Sequence, residues 1–173
     1  MTTLLHIVHP YTYKLERMGG PLILDERAEQ FKERDKRVHD FIKASKYTGI
    51  QTLIYWETPI DRPSFSLAVI LEDPCLSIMM PPNHAVSTPY CGQPKEQPGY
   101  TTPKEYAKIV LPFKRHYFIG GALEACVADA VCHVRSLTDK PIIIVENLCV
   151  TFDSKHAEHL KKTLFPAKEI KFG

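Results

Sequence analysis

Between His116 and Phe172 short apolar runs alternate with segments of helical spacing, in the order HYFIGG, EACVADAVCHVRSL, PIIIVENL, SKHAEHLKKTLF and EIKF. A strand that returns to its own sheet through a helix lies parallel to the first, because the crossover brings the chain back to the starting edge. Strands joined in this way are covered on both faces, so they read as near-continuous apolar runs rather than as alternating ones. The pattern predicts an α/β fold: a mainly parallel sheet with helices on both faces, in three layers.

The first half fits the same plan. TLLHIV (3–8) reads as a buried strand stopped by Pro10, and YTYKLERMGGPLILD as loop. From Glu26 to Tyr47 apolar residues at Ala28, Phe31, Val38, Phe41 and Ile42 recur at helical spacing among mixed charges, which predicts an amphipathic helix with a solvated outer face, closed by Gly49. IQTLIYW (50–56) is a second strand and SLAVIL (66–71) a candidate third. Nine of the fourteen prolines fall between Pro59 and Pro103, so MPPNHAVSTPYCGQPKEQPGY (80–100) is unsuited to helix or central strand. Thr102 and Pro103 mark the start of a helix running to about Leu111. With no internal repeat, residues 1–173 are expected to form a single domain that contains an irregular proline-rich segment around 59–103.

With 22 basic against 20 acidic residues, the net charge of +2 offers no broad electrostatic field for nucleic acid or an anionic membrane, and neither is expected as a partner. No apolar stretch is long enough to span a bilayer, and MTTLLHIVHP lacks the character of a signal peptide, so the expected location is cytoplasmic. Cys75, Cys91, Cys126, Cys132 and Cys149 are odd in number and widely spaced, which fits reduced thiols better than a disulfide framework.

Cys126 stands apart by position. In a parallel sheet ligands gather at the carboxyl ends of the strands, where helix N-termini present their N–H groups. Cys126 follows the HYFIGG strand at such a place, and Gly120 and Gly121 give the backbone freedom for a tight path. A thiolate there is stabilised by the helix dipole, and neighbouring amides can hold an oxyanion. Val127, Ala130, Val131 and Val134 complete a stripe facing the sheet without Cys126, and Asp129 and His133 are expected to lie elsewhere. Two readings remain open: a nucleophile, or the common buried structural thiol.

GGALEACVADAV resembles the nucleophile turn of the isochorismatase-like cysteine hydrolases, the superfamily of nicotinamidases, isochorismatases and carbamoylases. Gly120, Glu124, Cys126 and Val127 match its pattern, while KPIIIVENLC, with Glu146 and Cys149, is similar to the family's next strand and turn. About 125 residues can be laid on the pattern, leaving out the proline-rich middle. The resemblance implies hydrolysis of a small-molecule C–N or related bond by a nucleophilic cysteine, an aspartate after the first strand as base, and a lysine beside the pair. It also implies an oxyanion hole from the backbone N–H groups of Ala122 and Cys126, next to a cis peptide.

The departures are specific. Val8-His9-Pro10-Tyr11 stands where the family has its aspartate, leaving His9 as candidate base or as a packed strand-end histidine. Lys95 is the nearest candidate for the lysine, or else an exposed loop residue. The segment like the family's metal-binding stretch, WETPIDRPSF, keeps Trp56, Pro59, Ser64 and Phe65 but has no histidine, so no metal and no other cofactor is expected. His156 with His159, and the scattered Cys75, His84 and Cys91, make weak alternative ligand sets. Two functions follow: a cysteine hydrolase of small molecules with an altered base, or a catalytically inactive relative that binds a small ligand or a protein partner. The resemblance also implies a homo-oligomer, with the proline-rich middle as a candidate interface.

Overall fold

The structure is a computed structural model in which residues 2–8, 25–45, 50–56, 76–79, 103–163 and 170–173 are described. Six strands form one sheet: β1 (Thr3–Val8), β2 (Ile50–Trp56), β3 (Leu76–Met79), β4 (Arg115–Gly121), β5 (Ile142–Val150) and β6 (Ile170–Phe172). Their order is β3-β2-β1-β4-β5-β6, and every pairing is parallel. Four α-helices accompany them among the described residues: α1 (Asp25–Ser45), α2 (Pro103–Val110), α3 (Ala128–Leu137) and α4 (Ser154–Thr163).

The parity of β1 shows how the layers form. All six of its residues are buried, as its central place demands. Leu5 and Ile7 join Ile119, Leu148 and the α1 residues Val38 and Ile42 on one face. Leu4 and Val8 point the other way, into a larger cluster with Leu53, Phe118, Ile142 and Ile144 under Tyr106 and Val110 of α2, Val131 and Val134 of α3, and Leu160 of α4. A sheet between helices is thus the observed architecture, as the alternation of elements predicts.

Two strand boundaries and one burial differ from expectation. The strand beside β2 is Leu76–Met79, rather than the candidate at 66–71; among the described residues it sits at the sheet edge, pairing with β2 alone, where proline-flanked strands are tolerated. Residues 66–71, the expected third strand, lie outside the described residues. β5 runs on to Val150 rather than stopping at Leu148, because a register irregularity opposite Phe118–Gly120 absorbs extra residues, leaving Glu146 within the strand. Along α1, Arg34 is 1% exposed, so the outer face expected to be solvated has one buried charge, while the Glu33–Arg37 pair remains at the surface.

The strand order has a switch point. From β1 the chain moves outward to β2 and β3; from β4 it moves the opposite way to β5 and β6. In doubly wound sheets, ligands gather at the carboxyl ends of strands whose connections leave in opposite directions. Here that switch point lies at Val8 and Gly120, which are register partners.

Candidate active site

The chain leaves β4 along a path that admits only glycine at Gly120. Its φ is +121°, and a Cβ there would lie 2.0 Å from the carbonyl oxygen of Val8. Next, the Gly121–Ala122 peptide bond is cis, where the family resemblance implies one. Leu123–Val127 form one wide turn in which the N–H groups of Ala125 and Val127 both donate to the Ala122 carbonyl oxygen, at 3.1 and 3.0 Å. Ala125 alone departs from helical dihedrals (φ −130°, ψ −106°), so the chain kinks there and enters α3 through Cys126 and Val127. Cys126 therefore stands beyond β4, partly exposed and partly packed on the main core.

Glu124 ties this turn to the next loop. Its side chain is 6% exposed, and Oε1 accepts the backbone N–H groups of Phe152 (2.7 Å) and Asp153 (2.9 Å) in the segment joining β5 to α4. A buried carboxylate receiving two N–H donors forms charge-assisted bonds that hold two loops at a fixed spacing. Asp153 in turn caps α4, accepting the His156 N–H at 3.0 Å through Oδ1. Phe152 remains 39% exposed at the rim.

The cysteines have different environments. Cys149, on β5, is buried, its thiol donates to the Val145 carbonyl oxygen at 3.5 Å, and burial pushes its pKa up to about 12. It is an inert structural thiol. Cys132 is partly buried on α3.

The sequence expectation for α3 needs correction. Val127, Ala130, Val131 and Val134 face the core as predicted, but Asp129 and His133 are buried too, each 4% exposed. The reason is a second cover: the His133 ring packs against Tyr106 of α2, centroids 4.5 Å apart. Among the described residues neither carboxylate oxygen of Asp129 has a hydrogen-bond partner, and burial raises its pKa to about 7.

Beneath the turn lies a polar chain that the sequence reading missed. Tyr106 and Tyr55 hydroxyls meet at 2.6 Å, Tyr55 Oη lies 2.6 Å from His6 Nδ1, and His6 Nε2 lies 3.0 Å from His116 Nδ1. His6 stacks on Phe118 at 4.1 Å, and all four chain members are at most 1% exposed. Burial, then the neighbouring His116, holds His6 well below its usual pKa; burial, with Lys140 and Arg135 nearby, takes His116 down to about 4. Both rings are neutral near pH 7, and the tyrosines, raised by burial, keep their protons. The signal was a histidine in each of two apolar strands; the partners depend on strand register.

Of the expected site residues, Ala122 and Cys126 fall in this turn, with Ala122 extended at φ −89° and ψ 151°. His9 and Lys95 lie outside the described residues, as do Cys75, His84 and Cys91. His156 and His159 are exposed on α4. Among the described residues no three of His, Cys, Asp and Glu group together to hold a metal ion, and no helix is long and apolar enough to cross a membrane.

A parallel sheet with this switch point, and a cysteine turn above it, defines an isochorismatase-like fold. Solved structures bear this out. The pyrazinamidase of Pyrococcus horikoshii in complex with zinc aligns over 99% of this chain and 98% of its own, with a TM-score of 0.62 at 16% identity. N-carbamoylsarcosine amidase from Thermoplasma acidophilum covers 99% and 95%, with 0.60 at 12%. The YcaC product of Escherichia coli, an octameric hydrolase of unknown specificity, covers 99% and 74%, with 0.60 at 15%. At these identities the likeness is one of fold. No protein-family model matches the chain, and no curated protein does.

Proposed function

We propose that the protein is a cysteine hydrolase that cleaves a C–N bond of the amide type in a small molecule, with Cys126 as nucleophile. The observation that carries this reading is the position of Cys126: partly exposed, in a kinked turn at the start of α3, just after the strand at the switch point between β1 and β4. A thiolate there gains from the helix dipole. The backbone N–H groups of Ala122 and Cys126 are the proposed oxyanion donors. For the thiol proton the sequence offers His9, one residue beyond Val8, and for a supporting cation Lys95. Two of the fold neighbours are named as amidases, which supports an amide as substrate class. Residues 56–65, which resemble the family's metal-binding stretch, contain no histidine, so the proposal includes no zinc.

The test is ammonia release from a panel of small primary amides and carbamoyl compounds. Turnover that disappears in Cys126→Ala supports the proposal; equal turnover in both proteins refutes it. A second reading, a non-catalytic binder of a small ligand or protein, is favoured by one observation: β1 ends in Val8, and no acidic residue precedes Glu16. Thermal stabilisation by an amide that persists in Cys126→Ala, without ammonia release by the wild type, selects this reading. The cytoplasmic location, the single-domain organisation and assembly into a homo-oligomer belong to the same proposal; the octameric YcaC neighbour supports the last.

A further inference from the structure

The nucleophile reading gives no use to the buried carboxyl of Asp129. Asp129 is 4% exposed, and neither of its oxygens has a hydrogen-bond partner among the described residues. Burying a carboxyl without a partner is costly, and folded chains seldom keep one where no chemistry calls for it. Its position relates it to Cys126. Only Ala125 departs from helical dihedrals in the turn, so Cys126 to Asp129 is one regular turn, with Cβ atoms about 5–6 Å apart. Helical side chains lean toward the N-terminus, so the Asp129 carboxyl overlies the turn that contains Cys126. One turn further along, His133 closes the buried stripe against Tyr106.

We propose that Asp129, rather than His9, is the acid–base group for Cys126, in place of the carboxylate that β1 lacks. The inference rests on Cys126 being the nucleophile. In the first step the thiol S–H bond breaks, the proton goes to the Asp129 carboxylate, and the sulfur lone pair attacks the carbonyl carbon. As the tetrahedral adduct collapses, the C–N bond breaks and Asp129 returns the proton to the departing amine, leaving a thioester. Water then attacks the thioester, giving its proton to Asp129, and the C–S bond breaks as that proton returns to sulfur. The products are a carboxylic acid, an amine and the original thiol. A carboxyl held at about 7 by burial has the balance of acid and base that both halves of this cycle need at neutral pH. The resting pair makes no hydrogen bond; such contacts commonly tighten only when substrate is present.

The experiment measures the rate of iodoacetamide labelling at each cysteine by peptide mass spectrometry near pH 7.5, in the full chain. It compares the wild type, Asp129→Asn, Asp129→Glu and His9→Gln, with circular dichroism confirming the fold of each. Asp129→Asn is expected to slow Cys126 by about tenfold or more while leaving Cys132 nearly unchanged, with Asp129→Glu partly restoring the rate. Labelling of Cys126 at the wild-type rate in Asp129→Asn overturns the proposal, as does a loss found in His9→Gln instead. If Cys126 reacts no faster than Cys132 in the wild type, the nucleophile reading itself fails. Should Asp129→Asn not fold, the wild-type chain still decides: the carboxyl titration of Asp129, followed by carbon NMR, must move when Cys126 is capped with a methylthio group. An unmoved titration overturns the proposal.

Discussion

Replacing Asp129 with asparagine should stabilise the protein, and only above acidic pH. Burial holds the carboxyl at about 7 in the folded chain, against 3.8 for the unperturbed group. The folded state therefore keeps a proton that the unfolded chain releases first as pH rises. Stability from this group is fully present below 3.8, declines as pH climbs toward about 7, and stays lost above it. The gap corresponds to about 4 kcal/mol, a large part of the stability of an ordinary domain. Asparagine has nearly the same shape and never ionises, so the variant escapes the loss. Urea unfolding followed by far-ultraviolet circular dichroism, in parallel series from about pH 4 to pH 8, gives the difference between the two proteins; other titrating groups are common to both and cancel. The difference should be small near pH 4 and grow to several kcal/mol at pH 8. A difference that does not change with pH, or a variant that is less stable throughout, would show that burial does not raise the carboxyl's pKa and would refute the reasoning.

Three further outcomes follow from the same geometry. His116, neutral and at about 4 when folded against 6.5 unperturbed, contributes about 3 kcal/mol that is present above 6.5 and lost as pH falls toward 4; His6 acts in the same direction. In His116→Gln the fall in urea midpoint over that window should flatten, and an unchanged slope would count against a neutral pair. Glu124→Ala, by removing the acceptor of two N–H groups, should cost about 2–3 kcal/mol and speed amide hydrogen exchange at Phe152 and Asp153; unaltered protection there would mean the clamp is not what orders the loop. Gly120→Ala places a Cβ 2.0 Å from backbone at a positive φ and should give little folded protein, whereas a melting temperature near that of the parent would contradict the close packing of β1 on β4.

The parts legible in the sequence are those with local causes. β1, β2, β4 and β5 announce themselves because strands covered on both faces must be apolar throughout, and the turn after β4 shows in Gly120 and Glu124 because its path needs a residue that accepts a φ of +121° and an acceptor for two backbone N–H groups. β3 was hidden because an edge strand of four residues needs little pattern of its own, and proline does not exclude it there. The burial of Asp129 and His133 was hidden for a different reason. Helical periodicity identifies the stripe facing the sheet, but a second cover over the adjoining stripe depends on where α2 comes to rest. The same holds for the chain from Tyr106 to His116, whose members are brought together by parallel register between β1, β2 and β4, and for Glu124, whose partners lie 28 and 29 residues away.

The claim at the centre of this account is that Cys126 attacks a carbonyl carbon beside main-chain donors. A crystal structure after soaking with a small aromatic aldehyde, the electrophilic analogue of an amide, tests it most directly. The account predicts a bond from Cys126 sulfur to the aldehyde carbon, with the adduct oxygen within hydrogen-bonding reach of the Ala122 and Cys126 N–H groups. An aldehyde bound without that bond, or attached to Cys132 while Cys126 stays unmodified, would contradict it.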